Sequence, residues 1–157
     1  MSLIRTATLK DVEIIIQLWK EMMKYHSEMS PLFYLAEDSE KYYRMYLVNS
    51  LNNPEVLYTV SENDGFPSGY ARGSIVNRAP IFEKRRIGMI NEIFVLPQFR
   101  NSGLGSELTK SLTKWFNTKG IEYIELEVAW ENKAGIEFWK RLGFTNFKIK
   151  MSRENDK

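Results

Sequence analysis

The stretch that decides the fold runs Ile90-Asn91-Glu92-Ile93-Phe94-Val95-Leu96-Pro97-Gln98-Phe99-Arg100-Asn101-Ser102-Gly103-Leu104-Gly105. Five of its first seven residues are apolar, and Ile90, Ile93 and Val95 are β-branched, as suits a buried strand. From Ser106 to Phe116 the pattern turns helical, with Leu108, Leu112, Trp115 and Phe116 recurring at three- and four-residue steps. A glycine-bearing turn, Arg100 to Gly105, therefore joins a strand to the start of a helix. Glycine lets a ligand approach the backbone without a side chain in the way. Free amides at a helix N-terminus point at that ligand, and the helix dipole favours an anion. The turn reads as a phosphate cradle, with Arg100 as a nearby cation.

Outward from the turn, secondary structure follows from periodicity and punctuation. Leu3 to Ala7 is a short strand. Thr8-Leu9-Lys10-Asp11 resembles a capping box, and Val12, Ile15, Ile16, Trp19, Met22 and Met23 line one face of the helix behind it. Ser30-Pro31 interrupts that helix. A second helix starts near Asp38 or Ser39, carries Tyr42, Tyr43, Tyr46, Leu47 and Leu51, and stops at Asn52-Asn53-Pro54. Val56 to Ser61 and Ser68 to Val76 form a hairpin around Asn63-Asp64-Gly65. A loop over Asn77 to Lys84 precedes the strand Arg86–Leu96. After the glycine turn, the third helix ends near Lys119-Gly120, with Gly120 suited to its C′ position. Ile121 to Ala129 is a strand, Asn132 to Leu142 a helix closed by Gly143, and Phe144 to Met151 a last strand. The order β-α-α-β-β-β-α-β-α-β predicts an α/β fold of one domain over 1–157, a mixed sheet covered by helices on both faces.

Composition narrows the function. A chain of 157 residues buries roughly 70% of its unfolded surface, enough for a core without staples. The formal net charge of +2 is too small to point to nucleic acid or a membrane surface, and the basic run Glu83-Lys84-Arg85-Arg86, which abuts a strand, reads as a solvated loop. Cysteine is absent, which excludes a disulfide framework, a thiolate metal site and a cysteine nucleophile. The single histidine, His26, excludes a histidine-rich metal centre, so no metal site is expected. No 18-residue apolar run or signal-peptide pattern is present, and the expected compartment is the cytoplasm.

With these elements in place, the chain resembles the GNAT superfamily, the general-control-related N-acetyltransferases. The family signature is Arg or Gln, two residues, Gly, one residue, then Gly or Ala. Arg100, Gly103 and Gly105 match it, and Ile93-Phe94-Val95-Leu96-Pro97 is similar to the family's fourth strand and its exit. Asn132 to Phe144, Asn-Lys-Ala-Gly-Ile-Glu-Phe-Trp-Lys-Arg-Leu-Gly-Phe, is similar to the family's asparagine-led helix ending in Gly-Phe.

The resemblance implies a central sheet splayed between its fourth and fifth strands, with acetyl-CoA wedged into the gap. It implies that backbone groups of Phe94 and Val95 hold the pantetheine arm. The amides of Arg100, Asn101, Ser102, Gly103, Leu104, Gly105 and Ser106 would take the pyrophosphate. Asn132 stands where the family often contacts the cofactor arm, although its position equally suits a helix N-cap. Acetyl would pass directly from acetyl-CoA to an amine in a ternary complex. Glu92 is the candidate general base, acting through water or by attracting the cationic substrate, and the Val95 N–H is the candidate donor to the thioester carbonyl. The alternative for Glu92 is an ion pair with Arg72, Arg85 or Arg86. Many relatives place a thiolate-protonating tyrosine where this chain has Trp139, whose indole is far too weak an acid. Trp139 then packs against the cofactor or donates a hydrogen bond to the thiolate. Gly135 replaces the alanine usual in this helix.

The resemblance implies an acceptor site built from the first two helices and their loop, with help from the loop before the fourth strand, here His26 to Asp38 and Asn77 to Arg85. Glu28, Glu37 and Asp38 among Tyr25, Phe33 and Tyr34 suit a cationic amine with an apolar body, or form a solvated loop. A small cationic molecule such as a polyamine or aminoglycoside-like sugar is the first expectation. The alternatives are a protein lysine or N-terminus, and an acyl-CoA-binding module without turnover. A homodimer is common among such proteins.

Overall fold

The computed structural model describes residues 2–155. The chain divides into two compact units, Met1–Glu127 and Val128–Lys157. The first holds a five-stranded sheet in the order β1-β2-β3-β4-β5, formed by Ser2–Thr6, Val56–Asn63, Phe66–Asn77, Arg86–Val95 and Ile124–Leu126. The first four strands pair antiparallel, and β4 with β5 is parallel. Helices α1 (Val12–Ser27) and α2 (Ser39–Leu51) cover one face, and α3 (Leu104–Thr118) packs on the other.

Local chemistry explains the boundaries. Thr8 and Asp11 form the expected capping box. Asp11 is buried and held by both terminal nitrogens of Arg5 at 2.8 and 2.9 Å, and that guanidinium lowers its pKa from 3.8 to about 2. The β2–β3 hairpin turns on Asp64 and Gly65, with φ of 50° and 82°. Two left-handed residues in a two-residue loop match the right-handed twist of the strands. Gly120, with φ of 69°, closes α3. The Ile121 N–H bonds the Phe116 carbonyl and the Gly120 N–H bonds that of Asn117, the double bond that satisfies the last carbonyls of a helix.

Strand alternation divides the core. Tyr58, Val60, Tyr70 and Phe94 pack with Ile15, Ile16, Trp19, Met22 and Leu47 on the α1–α2 face. On the α3 face, Phe116 lies over Gly73 and Gly88, where side chains on the strands would occupy its space.

Two strand expectations need correction. Ile121 to Ala129 forms ladder only at Ile124–Leu126, paired with Gly88–Ile90. Phe144 to Met151 has no strand structure. Its alternation suits a strand, but alternation without a partner makes no ladder, and Phe147, Ile149 and Met151 are exposed.

The Gly88–Phe116 contact yields a test. A Cβ at Gly88 would lie 2.8 Å from two ring carbons of the fully buried Phe116. Gly88→Ala is expected to destabilise the chain by about 1–3 kcal/mol through overpacking, read as a lower urea midpoint. An unchanged midpoint would show that the ring moves aside freely.

Candidate active site

The site begins with a register break in β4. Arg72 of β3 faces Glu92, whereas the next residue, Gly73, faces Ile90. Asn91 is thus an extra residue in β4, a β-bulge. Without it, Glu92 would share a face with Ile90 and point at α3. With it, Glu92 joins Arg72, Tyr70 and Phe94 on the α1–α2 face.

There Glu92 is nearly enclosed. Its Oε2 accepts hydrogen bonds from the hydroxyls of Tyr43 on α2, at 2.8 Å, and Tyr70 on β3, at 2.7 Å. Arg72 Nη1 reaches Oε1 at 3.4 Å. Tyr43 stacks flat on Trp19 of α1, with centroids 4.1 Å apart. The Arg72 guanidinium lies 4.7 Å from the Tyr46 ring centre and 5.8 Å from that of Tyr58. Burial raises the pKa of Tyr43, Tyr58 and Tyr70, and the negative charge of Glu92 adds to it. These hydroxyls stay protonated, and those of Tyr43 and Tyr70 serve as donors to the carboxylate. Of the three arginines named as ion-pair partners for Glu92, Arg72 is the one beside it, and Arg86 pairs with Glu55 at 3.0 Å.

The bulge also decides which backbone groups of β4 are free. The Leu96 N–H donates to the Ser68 carbonyl at 2.9 Å. Backbone direction alternates along a strand, so Phe94 turns its N–H and C=O toward Tyr70 on β3. Those of Ile93 and Val95 turn the other way, past the point where β5 has ended. Phe94 and Val95, as neighbours, cannot offer backbone to one ligand edge. The pair that can is Ile93 and Val95.

The glycine turn follows at once. A 3-10 turn, Pro97–Phe99, leads to Asn101, with φ of 60°, and Gly103, with φ of 86°. Gly103 is the N-cap of α3, no side chain caps that end, and the space around Gly103 is open. The first intrahelical bond there is Glu107 N–H to Gly103 O, so the amides of Leu104, Gly105 and Ser106 have no intrahelical acceptor. Ser102 Oγ donates to the Phe99 carbonyl at 2.6 Å, bracing the loop. Arg100 departs from expectation. Its own N–H is bonded to Pro97 O. Its Nε donates to Val95 O at 3.0 Å, and its guanidinium lies over Tyr25 and Phe94. Through Nε it fastens the loop to β4.

The second unit carries α4, Lys133–Arg141. Asn132 is its N-cap and accepts from the Gly135 N–H at 2.9 Å. A Cβ at residue 135 would lie 2.6 Å from the Asn132 amide nitrogen. Glycine there makes room for the cap. Gly143, with φ of 89°, ends the helix, and the Phe144 N–H bonds the Trp139 carbonyl. Trp139 is buried with its ring against the edges of Phe138 and Phe144.

In the expected acceptor segment the acidic side chains stand in solvent, as the solvated-loop reading has it. Glu28, Glu37 and Asp38 are exposed, and none of the hydrogen bonds to Glu92 comes from them. His26 packs against Phe33, with rings 5.3 Å apart, and burial lowers its pKa. The residues that sequence reading missed are Tyr43 and Tyr70 as partners of Glu92. Tyr43 reads as ordinary helix core, and the proximity of Tyr70 to Glu92 exists only in the β3–β4 register.

Residues 18–144 match the acetyltransferase (GNAT) family. The chain belongs to that family. It is 33% identical over 141 residues to an uncharacterized N-acetyltransferase of Methanocaldococcus jannaschii, covering 90% of this chain and 59% of that protein; it thus spans about three fifths of that relative. An N-alpha-acetyltransferase of Sulfurisphaera tokodaii is 28% identical over 153 residues, covering 93% of this chain and 81% of its own. In fold, the chain is similar to AAC(6')-Iy in complex with the bisubstrate analog CoA-S-monomethyl-acetylneamine, with a TM-score of 0.77, 20% identity and coverage of 99% of both chains. Among the described residues no cluster of potential metal ligands occurs, and no helix is long and apolar enough to cross a membrane.

The Glu92 network is testable by itself. Tyr70 is fully buried, and Tyr70→Phe removes one of two donors to Oε2. Net stability is expected to fall by about 1–3 kcal/mol, measured by urea denaturation. Wild-type stability would mean that the carboxylate does not depend on that hydroxyl.

Proposed function

We propose that this chain transfers acetyl from acetyl-CoA to a primary amine by direct attack, with residues 1–157 acting as one acetyltransferase domain. The family match crosses both compact units, which supports that extent. The observation that carries the reading is the pairing of two free backbone edges at one end of β4. Ile93 and the Val95 N–H turn away from β3 beyond the end of the β4–β5 ladder, the Val95 carbonyl accepting from Arg100, and Leu104 to Ser106, starting nine residues after Val95, present amides with no side-chain cap. An extended amide-bearing arm ending in a diphosphate fits that sequence of donors and acceptors. The left-handed Gly103, open on the side where a Cβ would stand, fits close approach of phosphate oxygens.

The donor supplies a thioester whose C–S bond breaks as the C–N bond forms. The chain's part is placement and charge. Val95 N–H is a candidate donor to the thioester oxygen, where negative charge grows. Glu92 attracts the ammonium form of the amine and accepts its proton directly or through water. Two tyrosine hydroxyls on Oε2 hold the carboxylate so that Oε1 faces the acceptor. Alignment contributes several kcal/mol of the barrier reduction. Trp139 carries no acidic proton, so the thiolate leaves as the anion or is protonated by water.

The acceptor is an amine of a small molecule or a peptide. The aminoglycoside enzyme similar in fold supports the first reading. The N-alpha-acetyltransferase relative supports the second.

Glu92→Gln keeps shape and hydrogen bonding but removes the charge. Turnover is expected to fall about 10²-fold with coenzyme A affinity unchanged, read as thiol release and by calorimetry; an unchanged rate would remove Glu92 as base. Gly103→Val forces a β-branched residue into a left-handed backbone and fills the open space. Coenzyme A affinity is expected to drop by at least about tenfold, ~1.4 kcal/mol. Wild-type affinity in a folded variant would place the diphosphate elsewhere.

A further inference from the structure

The proposed function gives Glu92 a role and leaves Arg72 without one. Arg72 is one of the most buried charged side chains near the site, with 11% of its side chain exposed, and Glu92 beside it has 14%. A guanidinium has five N–H donors in a planar fork. Among the described residues it makes one hydrogen bond, to Glu92, at a long 3.4 Å, and its Nε is buried without a partner. The geometry is not the two-pronged contact by which arginine and carboxylate satisfy each other. Glu92 has given its other oxygen to Tyr43 and Tyr70. The aromatic faces of Tyr46 and Tyr58 flank the guanidinium, but rings accept no strong hydrogen bond. A largely buried cation whose Nε has no partner and whose one hydrogen bond is long has donor capacity left for an acceptor oxygen.

Charge gives the same answer. The floor of the site holds one cation and one anion side by side, so it does not select a polycation. A second ammonium near Glu92 would meet Arg72. The group that complements the pair has an ammonium for Glu92 and, two carbons along, an oxygen for Arg72. That group is an α-amino acyl unit, H₃N⁺–CHR–C(=O)–, in which R lies against the exposed aromatic edge of Tyr46.

Resting on the acetyl-transfer reading, we propose that the acceptor is an α-amino acyl group, its amine facing Glu92 and its carbonyl or carboxylate oxygen held by Arg72. Arg72 is then a specificity-determining residue that binds substrate. Acetyl transfer removes two protons from the α-ammonium, one to Glu92 or water before attack and one after it, forms the N–C bond and breaks the thioester C–S bond; water returns one proton to the thiolate, so one proton is released net. Free amino acids and peptide N-termini share this chemistry, and substrate form separates them: a requirement for free carboxylate marks the first, tolerance of an amide the second.

The test compares acceptors that differ only in the oxygen. Thiol release from acetyl-CoA is measured with phenylalaninamide, phenylalanine, a phenylalanine-led tripeptide, phenethylamine and spermidine. The α-amino acyl compounds are expected to exceed phenethylamine in kcat/KM by at least roughly tenfold, since a site built for an oxygen rejects the analogue lacking it. Arg72→Met is expected to erase that advantage, read as the ratio of kcat/KM for phenylalaninamide to that for phenethylamine within the same variant, and Arg72→Lys to restore part of it. Equal use of phenethylamine and phenylalaninamide by the wild-type chain would overturn the proposal, as would Arg72→Met that melts like wild type and keeps the preference. Tryptophan fluorescence, with Trp19 stacked on Tyr43, follows acceptor binding without turnover. Preferential binding of phenylalaninamide with no thiol release would overturn acetyl transfer and support the acceptor class. Thiol release with spermidine as fast as with the amide would do the reverse.

Discussion

One extra residue in β4 organises the site. Asn91 interrupts the antiparallel register between Ile90 and Glu92, and a strand with period two cannot absorb it without exchanging faces. Upstream of the break, Ile87 and Ile90 are buried in the sheet, and Gly88 pairs through its backbone with β5. Downstream, Glu92 swings to the α1–α2 face, and the backbone of Ile93 and Val95 takes the direction that Gly88 and Ile90 had. A carboxylate on one face and a free hydrogen-bonding edge at the side thus come from the same slip.

The edge is free because β5 is short. Its ladder ends at Leu126 opposite Ile90, and β4 continues to Val95. Unpaired strand groups in a protein interior must find partners, and an extended ligand is one. Arg100 closes part of that edge in the structure by donating to the Val95 carbonyl. Its aromatic neighbours Tyr25 and Phe94 tie the loop to the α1–α2 face, the face that Glu92 also occupies.

Much of this was legible in the residues. The glycine turn, the helix after it, the capping box at Thr8, the Asp64–Gly65 hairpin and the C′ glycines at 120 and 143 each carry a local chemical signal, and each formed. What stayed illegible is relational. No residue type marks Asn91 as a bulge, so nothing told that Phe94 turns its backbone to β3. Tyr43 and Tyr70 are 27 residues apart in numbering and meet only on Glu92. The motif supplied Arg100 as a cation, but its neighbours bind its guanidinium. The alternation of Phe144 to Met151 suggested a strand, and alternation cannot say whether a partner is present. Trp139 and Asn132 read as capping and packing residues, and within their own unit they are.

Amide hydrogen exchange, resolved by residue with NMR, addresses the central claim that the β4 bulge turns Ile93 and Val95 outward to hold the donor. Addition of coenzyme A is predicted to slow exchange at Ile93, Val95, Gly105 and Ser106, while the Phe94 amide, already paired with β3, is slow before and after. Gain of protection at Phe94 with none at Ile93 or Val95 would contradict the account.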